Sequence, residues 1–326
     1  MIGRSTLATA VDTVLELTIA PSWSKVGYDL RRQLLDWDSK SLPRLDGRVV
    51  VLTGFTSGIG LATAFALGEL GAHLHLIGRD PARVDDVRSR LAERAIEVRS
   101  SIADLSDLAS VARAADEIRD THDHVDVLIH NAGALTRTYT TSAQGVELTV
   151  AAQVLGPFLL TTMLRDHLGA SPVGGRVLTV TSGGMYAERL SVADLEMQES
   201  DYDGVRAYAR AKRAQVELAL EWTRRSNDAV RFHTMHPGWT DTPGVVESLP
   251  TFHRITRPLL RAPAAGADTL VWLSCASDSE LGAGGGLWLD RRRRSTSRFP
   301  WTDTPAGERY RLWTWCEERI AGFTGS

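Results

Sequence analysis

Short apolar segments alternate with helical segments along this chain from about residue 48 onward. This alternation is typical of stacked βαβ units, in which parallel strands form one sheet and helices cover both of its faces. We predict seven strands, at residues 48–53, 73–78, 97–102, 125–130, 176–181, 231–236 and 286–289. The pattern therefore predicts an α/β fold built on one doubly wound, mostly parallel, seven-stranded sheet.

The chain divides into an N-terminal extension, residues 1–45, and one domain, residues 46–326. Apolar residues near the start recur at helical spacing, at Leu7, Val11, Val14 and Leu15. Asp12 lies off this stripe, and Leu30 and Leu34 begin a second one, so we predict a two-helix extension. The helices either pack on the domain or a partner subunit, or contact a membrane peripherally with help from Arg31 and Arg32.

Charge, cysteine content and hydropathy exclude several classes of protein. The formal net charge of −3 argues against binding to nucleic acid. Only two cysteines occur, so no disulfide framework is indicated and a reducing, cytoplasmic location is favoured. No apolar run approaches the roughly 18 residues of a membrane span. The histidine pairs His73/His75 and His122/His124 lack the spacing of metal ligands, so we assign no metal site.

A glycine-rich turn, Thr53-Gly54-Phe55-Thr56-Ser57-Gly58-Ile59-Gly60, connects the first predicted strand to the helix that follows it. A pyrophosphate bound at such a turn needs close approach to the backbone and the positive end of a helix. We therefore predict a dinucleotide site of Rossmann type here, formed by residues Gly54, Thr56, Ser57, Gly58, Ile59 and Gly60.

The second predicted strand ends at Gly78-Arg79-Asp80, where the adenosine ribose should lie. Proteins that use NAD usually place a carboxylate on the last residue of this strand, which here is Gly78. The Arg79 guanidinium suits the 2′-phosphate of NADP, whereas Asp80, twenty residues after Gly60, is the alternative that would serve NAD(H). We favour NADP(H).

Tyr208 and Lys212 are four residues apart, so a helix places both side chains on the same face. An unperturbed tyrosine titrates near pH ~10, and a neighbouring ammonium lowers that value. Tyr208 is therefore predicted to act as an acid and base.

These motifs, taken in order with Asn131-Ala132-Gly133 and Ser182, resemble the short-chain dehydrogenase/reductase family of the non-extended type. The resemblance covers roughly residues 46–290 and is closest to the retinol-dehydrogenase-like members, among them the subgroup of dehydrogenase/reductase family member twelve. It implies that Tyr208 exchanges a proton with the substrate oxygen, that Ser182 hydrogen-bonds this oxygen, and that Lys212 lowers the tyrosine pKa and binds the nicotinamide ribose.

The resemblance also implies further cofactor contacts. Asp104 and Leu105 correspond to the position that contacts adenine, and Asn131 braces the central strand while Ala132 and Gly133 allow close approach of the cofactor. Around the nicotinamide, the implied contacts come from residues Pro237, Gly238, Thr240 and Thr242.

One position departs from the family pattern, because Gln153 stands where the family has a fourth catalytic residue, an asparagine. If that residue acts through its backbone carbonyl, which holds a water that relays protons to Lys212, Gln153 can still serve. If catalysis depends on the geometry of its side chain, the turnover rate should be lower. We expect Gln153→Asn to keep or raise turnover.

By resemblance, the substrate is a lipophilic carbonyl or alcohol compound, of the retinoid, steroid or fatty-aldehyde kind, and the protein is a homo-oligomer. A lid at about residues 240–265 is predicted, whose apolar residues line the site or belong to a helix core: Leu249, Phe252, Ile255, Leu259 and Leu260. A non-catalytic NADP-sensing protein is the alternative, and only Gln153 supports it. The basic run Arg291 to Arg294 is predicted to be a solvated loop, with phosphate or membrane contact as its alternative.

Overall fold

The computed structural model describes residues 4–37, 42–226 and 229–324 of the chain, with side chains from residue 8 onward. Residues 1–3 and 38–41 of the predicted extension therefore lie outside the described residues, as does the Leu7 side chain.

The described residues form one sheet of eight strands in the order β3-β2-β1-β4-β5-β6-β7-β8. Neighbouring strands from β1 to β7 pair in parallel, and β8 pairs antiparallel with β7. The strands are β1 (Val49–Thr53), β2 (His73–Gly78), β3 (Val98–Ile102), β4 (Val127–His130), β5 (Gly175–Val180), β6 (Val230–Met235), β7 (Gly286–Leu289) and β8 (Arg292–Arg294). The doubly wound, mostly parallel α/β architecture is confirmed.

The predicted strand count was wrong by one, because the basic run Arg292–Arg294 forms β8 and is not a solvated loop. A two-residue turn folds this segment back onto β7, and both turn residues, Asp290 and Arg291, have φ of +54°. The Arg294 guanidinium is held by Asp12, with its two nitrogens 2.8 and 2.9 Å from the carboxylate oxygens. A buried acidic residue therefore stabilises one arginine of this run.

Helices cover both faces of the sheet. They are α1 (Arg4–Glu16), α2 (Ala20–Trp23), α3 (Lys25–Leu34), α4 (Gly58–Glu69), α5 (Pro81–Ala92), α6 (Leu108–Thr121), α7 (Leu148–Val150), α8 (Gly156–Met163), α9 (Arg165–Gly169), α10 (Gly204–Arg225), α11 (Pro243–Ser248), α12 (Pro250–Thr256), α13 (Pro263–Cys275), α14 (Asp278–Leu281) and α15 (Glu308–Ile320). No helix among the described residues is long and apolar enough to cross a bilayer.

The core consists of two main apolar layers, one on each face of the sheet. Val49 and Val51 of β1 contribute to the layer under α6, α8, α10 and α15, whereas Val50 and Leu52 contribute to the layer under α4, α5 and α13. Successive side chains of a strand point to opposite faces, and both faces are covered. A continuous apolar strand such as Val49–Thr53 is the result.

The described part of the extension forms three helices that pack on the domain, where two were predicted. The predicted apolar stripe of α1 was wrong in part: Val14 is 64% exposed, whereas Asp12 is buried. Arg31, which the membrane-contact alternative requires at the surface, is also buried, where it binds Asp12 at 2.6 Å and Asp290 at 2.7 Å. Ion pairs with the domain, more than apolar periodicity, decide which face of the extension is buried.

Helices α11 and α12 lie on the surface within the predicted lid and contain no buried residue. Ser248 at the end of α11 donates to the Leu135 carbonyl across the carboxyl edge of the sheet, at 3.2 Å. Phe252 packs against Trp239, and Leu260 is the one member of the predicted apolar set that is fully buried. The set therefore forms part of a surface cover and is not the core of a helix.

Candidate active site

The glycine-rich turn packs tightly against the neighbouring loop at the carboxyl edge of the sheet. Gly54 has φ of +70°, and a Cβ on it would come within 2.5 Å of the Ala132 backbone. A Cβ on Gly60 would lie 2.1 Å from the Gly54 carbonyl oxygen and 2.4 Å from Asn131 Nδ2. Asn131 Nδ2 donates to the carbonyls of Thr53 and Gly54 at 3.2 and 2.7 Å, which braces the end of β1 as expected.

The first turn of α4 is available to a phosphate. Ser57 is the N-cap residue, but its side chain makes no capping hydrogen bond, so the first amides of α4 have no side-chain acceptor there. Thr56, Ser57 and Ile59 are only partly buried. The unsatisfied amides of a helix N-terminus attract anions. This geometry and the close-packed glycines fit a bound pyrophosphate.

The loop after β6 reaches over the glycine turn. Gly238 has φ of +73°, and Thr240 is buried against Gly266, where a Cβ would lie 2.6 Å from the threonine Oγ1. The Thr242 Cγ2 atom would be 3.0 Å from a Cβ on Gly58, so Thr242 lies beside the turn. This arrangement places the predicted nicotinamide-loop residues next to the predicted pyrophosphate site.

Ser182, Tyr208 and Lys212 come together where α10 docks on the end of β5. The docking is fixed by the Thr181 hydroxyl, which donates to the Lys212 carbonyl at 2.9 Å. Lys212 Nζ lies over the Tyr208 ring, 5.3 Å from its centroid. Burial raises the pKa of Tyr208 to about 12, and a hydrogen bond with Ser182 acts in the opposite direction. In the chain alone, the predicted lowering of this pKa by Lys212 is therefore not found.

Lys212 is buried and held by two acceptors. Its Nζ donates to the Val180 carbonyl at 2.9 Å and to Gln215 Oε1 at 3.1 Å. Burial lowers the pKa of Lys212 to about 7. The lysine is therefore fixed in place, with its charge disfavoured by desolvation.

Gln153 lies in a π-helical turn, Ala151–Leu155, and is linked to Lys212 through Gln215. Gln215 Nε2 donates to the Gln153 backbone carbonyl at 2.7 Å, while its Oε1 accepts from Lys212. Sequence reasoning missed Gln215, although its position three residues after Lys212 puts it on the same face of α10. The Gln215 side chain therefore joins the Gln153 backbone carbonyl directly to Lys212.

The Gln153 side chain has contacts of its own. Its Nε2 donates to the Ala134 carbonyl at 2.7 Å, and its buried Oε1 has no partner among the described residues. A Cβ on Gly133 would lie 3.1 Å from this Oε1 and 3.1 Å from Lys212 Nζ. Gln153 Oε1 and Lys212 Nζ therefore both lie against Gly133, where a side chain would crowd them.

At the other end of the predicted cofactor site, the Asp80 carboxylate caps α5 by accepting from the amides of Ala82 and Arg83 at 3.0 and 3.3 Å. Gly78 cannot accommodate a longer side chain, since a Cβ would lie 2.7 Å from Val84. Arg79 is exposed, and no hydrogen bond or ion pair joins it to any described residue.

The predicted adenine contacts, Asp104 and Leu105, follow β3 and are partly buried. Asp104 Oδ1 accepts from the Ser106 amide and hydroxyl at 2.8 and 2.7 Å, which shapes the loop. The Leu105 carbonyl packs on Gly156, where a Cβ would lie 2.1 Å from it. Among the described residues, no group of three or more His, Cys, Asp or Glu side chains is arranged to hold a metal ion.

The N-terminal extension also reaches the site, which the sequence did not indicate. The Trp23 ring lies over Gly183, the residue after Ser182, where a Cβ would come within 2.3 Å of it. Trp23 also contacts Trp239 and Tyr186, with ring centroids 6.5 and 5.9 Å away. One wall beside the predicted catalytic residues is therefore aromatic.

Comparison with known proteins agrees with this geometry. A family model described as short chain dehydrogenase matches residues 48–251. Dehydrogenase/reductase SDR family member 12 from Homo sapiens is 37% identical over 255 residues, which cover 78% of this chain and 80% of that protein. Retinol dehydrogenase 13 from Homo sapiens is 30% identical over 247 residues, covering 72% of this chain and 74% of that protein.

A crystal structure of an uncharacterized protein from Mycobacterium paratuberculosis superposes with a TM-score of 0.70 at 27% identity, covering 87% of this chain and 97% of that one. Both the sequence relatives and the arrangement of strands, glycine turn and Tyr208-Lys212 helix agree with the resemblance predicted from the motifs. The chain belongs to the short-chain dehydrogenase/reductase family.

Proposed function

We propose that this protein transfers a hydride between NADP(H) and a lipophilic carbonyl or alcohol substrate, with Tyr208 as its acid and base. The observation that carries the proposal is the convergence of Ser182, Tyr208 and a buried Lys212 at the carboxyl edge of the sheet, beside the loop that carries Thr242. The protein is an oxidoreductase, and a purely sensing role is disfavoured because the Ser-Tyr-Lys set is complete.

The chain's own residues orient the substrate and handle its proton. A bound nicotinamide supplies or accepts the hydride. The Tyr208 hydroxyl donates a proton to the substrate oxygen or removes one, and the Ser182 hydroxyl hydrogen-bonds the same oxygen. Because NADP(H) is the cofactor that we favour, we propose carbonyl reduction as the working direction, in which the Tyr208 phenol donates its proton to the substrate oxygen.

Oxidation of NADPH in the presence of lipophilic aldehydes and ketones tests the proposal. Wild type should turn over at least one of these compounds, whereas Tyr208→Phe should lose about 10²-fold or more, the usual contribution of a general acid. NADPH binding should persist in this variant, because the phenol hydroxyl serves the substrate. Tight NADPH binding with no turnover in either protein would support the sensor instead.

The preference for NADP over NAD rests on three residues at the end of β2. The Asp80 carboxylate caps α5, and a side chain at Gly78 would crowd Val84. The exposed Arg79 guanidinium is available to bind a 2′-phosphate. Arg79→Ala should weaken NADPH binding by about tenfold or more, as expected for a lost charge-assisted contact, and leave NADH binding unchanged. Equal effects on both cofactors would contradict the preference.

A lipophilic substrate is supported by the aromatic wall and by the similarity to retinol dehydrogenase 13. Trp23, Trp239 and Phe252 form a continuous set of ring contacts from Gly183 to the lid helix α12. A series of straight-chain aldehydes of increasing length should show kcat/KM rising with length. A flat or falling series would exclude this class.

We also propose that a second copy of the chain covers the exposed apolar side chains of the extension. Four of these side chains are between 42% and 81% exposed, namely those of Val14, Leu17, Ile19 and Val26. Sedimentation should show a dimer or larger species for wild type and a smaller one for Leu17→Glu. Wild-type monomers that bind vesicles containing anionic lipid would favour peripheral membrane contact.

We also propose a cytoplasmic location, which is consistent with two buried, unpaired cysteines.

A further inference from the structure

The loop that carries Gly238, Thr240 and Thr242 is held both by the N-terminal extension and by the domain. The Trp239 amide donates to the Trp23 carbonyl at 2.7 Å, and the Trp239 carbonyl accepts from the Arg261 amide at 2.7 Å. The loop is thus joined on one side to the N-terminal extension and on the other to the segment before α13.

The Arg261 side chain completes this attachment. It is 1% exposed, and its guanidinium donates to the carbonyls of Ser24 and Ser22 at 3.2 and 3.1 Å. Two further nitrogen contacts, of 2.5 and 2.9 Å, reach the Asp290 carboxylate. The guanidinium also fills the space where Gly238 has no side chain, since a Cβ there would lie 2.3 Å from Arg261 Cζ.

Arg31 connects the same carboxylate to the rest of the extension. Its Nη1 donates to Asp290 at 2.7 Å and to the Ser22 carbonyl at 2.8 Å, and its Nε donates to Asp12 at 2.6 Å. Asp290 is itself 1% exposed and has a left-handed backbone conformation, with φ of +54°. Such a conformation persists only where the surrounding contacts determine it.

The other end of the loop reaches the glycine turn. Thr240 and Ile59 both pack beside Gly266, and Thr242 packs against Gly58. Residues 22–24, Arg261 and the loop therefore form one continuous path from the extension to the start of α4.

We propose that Arg261, bound to Asp290 and to the carbonyls of Ser22 and Ser24, is a positioning residue for the nicotinamide end of the cofactor site. It fixes the loop 237–242, so that the N-terminal extension becomes part of the cofactor site. The proposal rests on the proposed function. It predicts that loss of the Arg261 contacts weakens binding of the nicotinamide half of NADPH. Binding of the adenosine half, at β2, should not change.

The test compares Arg261→Met and Arg261→Lys with wild type in the full chain, using NADPH and 2′,5′-ADP as separate ligands. Lysine keeps the charge but lacks the planar fork that reaches a carboxylate and two carbonyls together. Arg261→Met should weaken NADPH binding by about tenfold or more, the effect of a lost hydrogen bond to a charged group. Arg261→Lys should lie between Met and wild type. Binding of 2′,5′-ADP should stay within about twofold, since none of the Arg261 hydrogen bonds and ion pairs among the described residues reaches α4 or β2.

Hydrogen exchange of residues 237–242 gives a readout that needs neither ligand nor activity. The Trp239 amide should exchange about tenfold faster or more in Arg261→Met, because the segment that holds its acceptor is released. Asp29→Asn is the matched control, since this residue lies exposed on α3 and, among the described residues, pairs only with Lys25 at the surface. It should leave exchange and both affinities unchanged.

Equal loss of NADPH and 2′,5′-ADP binding would mean that Arg261 is needed only for folding, and this would overturn the proposal. Unchanged NADPH binding and unchanged exchange in Arg261→Met would also overturn it. If wild type binds NADPH but reduces no carbonyl, the proposed function fails, while the ligand comparison and the exchange still decide the role of Arg261.

Discussion

Lys212 is buried, although its predicted effect on the pKa of Tyr208 requires a charged amine. Burial lowers its pKa to about 7, against an ordinary value of 10.5, and its ammonium is held by Val180 and Gln215. In the chain without cofactor, Lys212 is therefore close to half protonated at neutral pH.

The lowered lysine pKa predicts a pH-dependent stability. Between pH 7 and 10.5 the unfolded chain keeps a proton on Lys212 that the folded chain has lost, so the free energy of unfolding rises with pH. The contribution is up to about 1.4 kcal/mol per pH unit. Urea unfolding of the cofactor-free protein at pH 7 and pH 9 should show wild type gaining stability relative to Lys212→Met. Identical pH slopes for the two proteins would contradict the pKa shift.

The backbone carbonyl and the side chain of Gln153 make separate hydrogen bonds. Asparagine at this position keeps the backbone carbonyl that Gln215 binds, but it is one methylene too short to reach the Ala134 carbonyl. We expect Gln153→Asn to keep or raise turnover and to lower the free energy of unfolding by about 1 kcal/mol, the usual effect of one lost hydrogen bond. Steady-state kinetics and urea unfolding measure the two effects.

The comparison variant is Gln215→Leu, which removes the link between the Gln153 carbonyl and Lys212. Turnover should fall by about tenfold, because one hydrogen bond to a cation is lost from a residue that must be held in position. A large fall in turnover for Gln153→Asn at unchanged stability would show that the glutamine side chain itself takes part in the reaction.

At the scale of elements, α1 and β8 are joined by a carboxylate shared among three arginines. Asp12 accepts from Arg31, Arg292 and Arg294, and the side chains of Arg31 and Arg294 are buried. Burial raises the pKa of Asp12, but the hydrogen bonds and charges of Arg294 and Arg31 outweigh it, so the net shift is downward. The carboxylate is therefore ionised at neutral pH.

Removing this carboxylate takes away one of the acidic partners of Arg31 and leaves the buried Arg294 side chain with only a 3.7 Å ion pair to Glu16 among the described residues. Asp12→Ala should lower the free energy of unfolding by about 3 kcal/mol, as found when one partner of a buried pair is lost. Asp85→Ala, which removes an exposed pair with Arg88, should change it by no more than about 0.5 kcal/mol. Chemical denaturation of the three proteins makes the comparison, and similar values for both variants would show that the pairing of α1 with β8 is not stabilising.

The strands and the glycine turn could be predicted because their signals are local. A buried strand such as Val49–Thr53 is a continuous apolar run, and a strand followed by a glycine turn and a helix can be recognised within a dozen residues. Strand β8 could not be predicted, since its three residues are all arginine and its pairing depends on a turn at Asp290. The buried face of α1 was mispredicted for a related reason, because Asp12 is buried by a distant partner.

At the scale of the whole molecule, the extension and the sheet share buried charges, so they should unfold together. Amides of α3 and of β7 should exchange with the same free energy in native-state hydrogen exchange at low denaturant concentrations. The surface helix α12, which has no buried residue, should exchange by local opening at a lower free energy. Loss of protection in α3 well before β7 would show instead that residues 1–45 fold and unfold as a separate unit.

The sequence by itself determined the α/β class, the dinucleotide turn and the Tyr208-Lys212 pair, because periodicity, turn chemistry and helical spacing act between near neighbours. The tertiary structure decided that Arg31 meets Asp290, 259 positions away, and that Arg261 joins the extension to the nicotinamide loop. It also decided that Gln215 bridges Lys212 and Gln153. These contacts depend on how the strands order in the sheet, and a buried charge needs a partner that only the completed fold brings within reach.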